Sequence, residues 1–219
     1  MSVAELEAVE IAVEAPTGLW SDAWFRLRRN PGAIAGFLLV LLFIVCAVFA
    51  PWIAPHKPLD QDLSLLGANG IPPGPSWHHL FGVDTLGRDE FSRIIYGARL
   101  SLVVGVVSVA VGLSVGVRGR TILVSHILPN AISPVIVQGT LALATAIIEV
   151  AALSFLGLGD QNPARPEWGA MLTETNAYLQ SAPFLAIIPG CAIVVSALGF
   201  NLIGDALREA LDPKLRGRT

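Results

Sequence analysis

Few side chains in this sequence could do chemistry, and the first is Glu149, the single acid in an apolar run from Ile132 to about Leu156. Gln138, Ala142, Thr145, Glu149 and Ala152 recur at steps of three and four, so a helix would put them on one face. A charged group at mid-bilayer costs about 2.5–3.5 kcal/mol on insertion scales and usually faces a bundle interior or a watery cavity. Glu149 lies near the end of its run, where that cost is smaller. Two roles fit it. It lines or gates a polar pathway with Gln138 and Thr145, or it accepts hydrogen bonds from a neighbouring helix and holds a bundle together. Both require it to face inward. Acid–base catalysis would need a nucleophile, a metal ligand or a second titrating group beside Glu149, and no motif supplies one.

The second group is the stretch Arg-Gly-Arg-Thr-Ile-Leu-Val-Ser-His-Ile-Leu-Pro-Asn at 118–130, a short polar bridge between two uncharged runs. Two arginines and a histidine without an acid, closed by a Leu-Pro pair, mark a cytoplasmic loop. Only soluble partners can touch a loop there, and Arg118, Gly119, Arg120, His126, Leu128, Pro129 and Asn130 are its candidate contact residues. The third group is His56, His78 and His79 with Asp84 and Asp89. Nothing in their spacing fixes them as metal ligands on a helix or tight loop, so solvated loop residues are expected and no metal is assigned. There is no Gly-x-x-x-x-Gly-Lys-Ser/Thr loop, no Gly-x-Ser-x-Gly elbow and no His-Glu-x-x-His helix. No cofactor is therefore assigned to the chain, and any energy input must come from a partner.

The elements that position these groups follow from composition. The chain has 219 residues, 53% hydrophobic and 14% charged, with a mean hydropathy of +0.65. Those values predict an all-α integral membrane protein. The net charge of -3 and the absence of a basic run argue against nucleic acid as a partner. Cys46 and Cys191 both fall in apolar runs and imply no disulfide.

A bilayer core needs about 20 apolar residues in a helix. Four segments qualify: 31–53, 100–117, 132 to about 156, and 183–204. The first is read as an uncleaved span because it is too long for a signal-peptide core; a cleaved signal is the alternative. The second span has Ser101, Gly105, Ser108, Gly112 and Gly116 on one face, which suits plain helix packing. The last has Ala186, Gly190, Ala197, Asn201 and Gly204, adds Asn201 to the candidate pathway lining, and carries Pro189-Gly190, which predicts a kink or break.

Arginines at 26, 28 and 29, at 118 and 120, and at 208, 216 and 218 with Lys214 outweigh the basic residues of the other side. Both termini are thus expected in the cytoplasm. The chain divides into a tail at 1–30, the first span, an extracytoplasmic proline-rich connector at 54–99, a shortened transmembrane domain at 100–204 with its cytoplasmic loop at 118–131, and a tail at 205–219. In the connector, Asp89 could cap a short helix leading into the second span. Trp168 and Tyr178, in the outer loop at 157–182, suit interface anchors.

Several motifs then carry a resemblance. They are Phe-Gly-Val-Asp-Thr-Leu-Gly-Arg-Asp-Glu-Phe-Ser-Arg-Ile-Ile-Tyr-Gly-Ala-Arg-Leu-Ser-Leu at 81–102, the segment from His126 to Val137, the segment from Glu149 to Gly159, Pro166-Glu-Trp-Gly169, and the ending from Phe200 to Pro213. In that order they closely resemble the C-type permease subunit of ABC importers for dipeptides, oligopeptides and nickel. The resemblance implies a type I permease fold in a prokaryotic inner membrane. It also implies a homologous second permease, two ATPase subunits that hydrolyse the ATP, and an extracytoplasmic solute-binding protein.

Such permeases have six spans and a coupling loop that begins Glu-Ala-Ala and closes Leu-Pro before the fifth. Here Leu128-Pro129 supplies the close, but the Glu-Ala-Ala is missing. The resemblance therefore implies that the third span, the fourth span and the front of the coupling loop are gone. Losing two spans preserves parity and hence orientation. Two expectations follow: a working permease subunit, or an internally deleted, transport-incompetent member of the same family.

Overall fold

A computed structural model of the chain describes residues 19–67, 69–115, 128–159, 162 and 165–211. Among these residues the regular elements are helical, and the sole β feature is an isolated antiparallel bridge between Val83 and Asp89. Four helices contain stretches long and apolar enough to cross a membrane. They are α2 (Pro31–Ile53), α3 (Glu90–Val115), α4 (Leu128–Phe155) and α6 (Phe184–Leu211). A shorter helix, α1 (Leu19–Arg29), precedes them, and α5 (Trp168–Glu174) lies between the last two.

α2 occupies the span expected from its sequence because both of its first residues are start signals. Asn30 accepts hydrogen bonds from the N–H groups of Gly32 and Ala33, and Pro31 sits where a missing N–H costs nothing. α3 differs from expectation. The short helix and the second span are one continuous helix from Glu90, capped by Asp89, whose Oδ2 accepts from the Ser92 N–H at 2.8 Å and the Ser92 hydroxyl at 2.7 Å.

α4 starts at Leu128 rather than 132, drawing Leu128-Pro129-Asn130 into its first turn, where proline is tolerated. α6 runs on past Gly204 to Leu211 and is continuous through Pro189-Gly190, so of the kink or break expected there the break does not occur. Pro189 lies in the second turn, fully buried, so its ring packs while one helical hydrogen bond is forgone. The segment before Pro31, read as a tail, contains α1. Ala23 of α1 is buried with Val137 and Leu211, while Trp24 and Phe25 stay exposed under the guanidinium groups of Arg28 and Arg29. Exposed aromatics beside arginines on a short helix suit a membrane surface.

α6 is the hub of the packing and touches all five other helices. The core joins Phe43 of α2, Ile94 of α3, Ile147 of α4, Trp168 and Met171 of α5, and Phe200 of α6. Phe43 stands 5.5 Å from the Trp168 ring and 6.0 Å, edge on, from Phe200. Trp168 is therefore a core residue rather than an interface anchor: its indole N–H donates to the Ile94 carbonyl at 3.1 Å, so the ring needs no water.

α2 and α6 cross at Gly36 and Gly199. A Cβ on Gly36 would lie 2.7 Å from Leu202 Cβ and 3.1 Å from the Gly199 carbonyl oxygen. In α3 the small-residue face is partly used in the same way, with Ser101 and Gly105 buried and Gly105 against Ile147, whereas Ser108 is exposed. Gly112 and Gly116 lie outside the residues whose side chains are described.

Candidate functional site

The segment from Gly82 to Arg93 builds a charged cluster at one end of the bundle. Gly82 and Gly87 take positive φ values of 84° and 75°, and between them the chain turns back so that the Asp84 N–H meets the Arg88 carbonyl at 2.9 Å. Gly87 is required by space as well as by φ, since a Cβ there would lie 2.3 Å from the Asp62 carbonyl oxygen. This turn points two arginines at two carboxylates. Arg88 Nε donates to Asp84 Oδ2 at 2.5 Å and Arg93 Nη1 to the same oxygen at 2.6 Å. Both guanidinium groups also donate to Glu174 Oε2 at 2.9 Å.

Arg88, Arg93 and Asp84 are buried, and Glu174 reaches them from the end of α5. Glu90 is buried beside them with Oε2 3.7 Å from Arg93 Nη1. The arrangement clamps the start of α3 to α5, and losing one buried member would leave another charge uncompensated. Of these residues, Asp84 alone is expected from the sequence to be a solvated loop residue, and the clustering of Arg88, Glu90, Arg93 and Glu174 is not expected from it. The sequence signal for the cluster is the alternation of acid and base at 84, 88, 89 and 93, which allows each charge a partner of opposite sign.

The expectation of solvated loop residues at His56, His78, His79, Asp84 and Asp89 holds only for part of the set. Asp84 and Asp89 are buried, His79 is mostly buried, and His56 and His78 are the exposed ones. The proline-rich connector folds back over the start of α3, and Asp89 is covered because it caps that helix.

The expected pathway residues lie elsewhere. Gln138, Thr145 and Glu149 are all exposed along α4, on a face turned away from the four-helix core, and Asn201 is half-buried on α6. The Thr145 hydroxyl bonds back to the Ala142 carbonyl at 3.0 Å. Among the described residues, Glu149 has no hydrogen-bonding or ion-pair partner. Glu149 thus faces away from the interior of this chain's own bundle, where both of its expected roles would place it. The helices pack through Ala144, Ile147 and Ala151 on the other side of α4.

Arg118, Gly119, Arg120 and His126 lie outside the described residues. Leu128, Pro129 and Asn130 are in the backbone of the first turn of α4, their side chains being outside the description.

Comparison with known proteins gives two family matches. Residues 18–73 match the N-terminal TM domain of oligopeptide transport permease C, and residues 102–217 match the binding-protein-dependent transport system inner membrane component. Among curated proteins, the chain is 35% identical over 282 residues to the glutathione transport system permease protein GsiD of Escherichia coli O157:H7, covering 90% of this chain and 91% of that protein. The same figures hold for the GsiD of Shigella flexneri serotype 5b (strain 8401). Since 90% of this chain is about 197 residues, roughly 85 of the 282 aligned positions have no counterpart in it. The chain is internally shortened relative to these permeases.

Proposed function

The chain belongs to the binding-protein-dependent inner membrane permeases of ABC importers, as a C-type subunit, and from that premise we propose that it conducts a peptide or similar small solute. The pathway residues in this reading are Gln138, Thr145, Glu149 and Asn201. A homologous second permease covers the polar face of α4, an extracytoplasmic binding protein delivers the solute, and two ATPase subunits hydrolyse the ATP. The chain itself catalyses no reaction. Both termini and the segment 118–130 face the cytoplasm, where the ATPases bear on Arg118, Gly119, Arg120, His126, Leu128, Pro129 and Asn130.

One observation carries this reading. α4 holds Leu128-Pro129 in its first turn and Gln138, Thr145 and Glu149 further along one unbroken helix. Force on the loop would tilt that helix as a rod and move its polar face, which is how a small displacement becomes alternating access. The test is the reconstituted complex of both permeases and both ATPases in liposomes. Solute with its binding protein is expected to stimulate ATP hydrolysis, and the stimulation is expected to vanish when Leu128-Pro129 is replaced by Gly-Gly or Arg120 by Ala. The internal shortening carries a second reading, a transport-incompetent family member, for which ATP hydrolysis would not respond to solute in the unmodified complex.

A further inference from the structure

His56, His79 and Asp89 come from three separated points of the sequence and meet at one end of the bundle. His56 follows the end of α2, His79 lies in the connector, and Asp89 immediately precedes α3. Their nitrogen and oxygen ligand atoms all lie within 4.8 Å of one another. His79 Nδ1 stands 2.9 Å from Asp89 Oδ1, and His56 Nδ1 stands 3.8 Å from Asp89 Oδ2. The two imidazoles stack with centroids 5.0 Å apart and planes 29° apart.

A carboxylate and one imidazole explain a hydrogen bond. They do not explain a second ring held against the first with its Nδ1 turned to the same carboxylate beyond hydrogen-bonding distance. We infer that these three residues form a binding site for a divalent transition-metal ion of the zinc type, which ties the exit of α2 to the entry of α3.

The spacing suits that chemistry. Bonds of about 2.0 Å to zinc at tetrahedral angles place neighbouring ligand atoms about 3.3 Å apart, and the 2.9 Å from His79 Nδ1 to Asp89 Oδ1 and the 3.8 Å from His56 Nδ1 to Asp89 Oδ2 lie on either side of that value, one on each carboxylate oxygen. Two nitrogens and a carboxylate oxygen select zinc-like ions over magnesium or calcium, which take oxygen donors. The carboxylate is already aimed, because Asp89 Oδ2 accepts from the Ser92 N–H and hydroxyl. Such outer hydrogen bonds orient a metal ligand.

His56 is held in turn by its backbone N–H, which donates to Ser92 Oγ at 3.2 Å. His56 is 43% exposed at its side chain and His79 16%, so an ion has a route in and water can complete its coordination. On binding, the metal takes the place of the hydrogen between His79 Nδ1 and Asp89 Oδ1, and the neutral imidazole then carries its N–H on Nε2. Arg88 and Arg93 pair with Asp84 and Glu174 in the neighbouring cluster, and Asp89 is paired with neither arginine there.

The test uses the full chain purified in detergent with its co-purifying subunits, equilibrated with Zn2+, dialysed, and assayed for zinc by mass spectrometry. The unmodified complex is expected to retain one Zn2+ per permease chain more than complexes carrying His56→Gln or His79→Gln. The adjacent exposed residue supplies the control, so His78→Gln should retain as much as the unmodified protein. Co2+ in place of zinc should give the intense visible absorption of a four-coordinate site, absent from His56→Gln at an exposed position. Equal zinc in the unmodified, His56→Gln and His79→Gln proteins, or no cobalt absorption in the unmodified one, would overturn the proposal. Neither readout depends on transport, so the site stands or falls apart from the cargo assignment.

Discussion

Arg88 and Arg93 show how a single side chain can be indispensable without touching a solute. Each is buried and donates to both Asp84 and Glu174. Removing either arginine leaves Asp84 and Glu174 to share a single guanidinium, so the cluster is left with uncompensated negative charge, and breaking a buried pair costs about 3–5 kcal/mol. Arg88→Ala is therefore expected to lower the thermal unfolding midpoint and the yield of folded protein in detergent, as read by size-exclusion chromatography after heating. Glu149→Gln should leave stability unchanged: its exposed side chain supports no described contact, so the midpoint stays put while solute-stimulated ATPase activity falls several-fold.

Residue roles were unevenly legible in the sequence. The capping role of Asp89 could be anticipated from its place before a helix. The burial of Asp84, Arg88 and Arg93 could not, because charges beside a span look like loop residues until Glu174, some eighty positions on, is brought to them. Trp168 was misleading for a related reason. Tryptophan favours the membrane interface because its N–H needs a partner, and here the Ile94 carbonyl satisfies it inside the core.

At the scale of elements, close crossings set the bundle. Gly36 of α2 meets α6 so tightly that even a methyl group would stand 2.7 Å from Leu202 Cβ, whereas a methyl on Gly139 of α4 would meet nothing within 4 Å. Gly36→Ala is expected to destabilise by about 1–3 kcal/mol through overpacking. Gly139→Ala should be neutral or slightly stabilising, since alanine is the better helix former by about 0.5–1 kcal/mol. Paired melting curves in detergent distinguish them. Trp168→Ala, which empties the contact among α2, α3 and α5, should cost about 3–5 kcal/mol by the same measurement.

The spans themselves were readable where sequence signals coincide. Asn30-Pro31 opens α2 at the expected residue, because a cap and a first-turn proline act together. α3 and α6 extend beyond their apolar windows because hydropathy stops at the first charges, whereas a helix continues wherever its polar residues find partners. Arg93 does so through Asp84 and Glu174, and Glu209 does so through the Asn30 side-chain amide at 2.8 Å.

For the whole molecule, the shortening decides what the fold can do. Roughly 85 aligned positions of the GsiD relatives are missing from this chain. The described helices nevertheless close around one core, leaving Gln138, Thr145 and Glu149 on an uncovered side of α4. In the proposed reading two spans are lost, which would keep the remaining helices in the orientation their basic residues favour. The end of the bundle carrying Asn30 and Glu209 would then face the cytoplasm, and the end carrying the arginine cluster and the histidine pair would face outward.

The account depends on the side from which the 118–130 segment is reached. A His126→Cys variant, made in a chain with Cys46→Ala and Cys191→Ala, can be probed in cells with a maleimide that does not cross membranes. Labelling only after the membrane is opened is the predicted result, and labelling of intact cells would contradict both the orientation and the coupling of this chain to an ATPase.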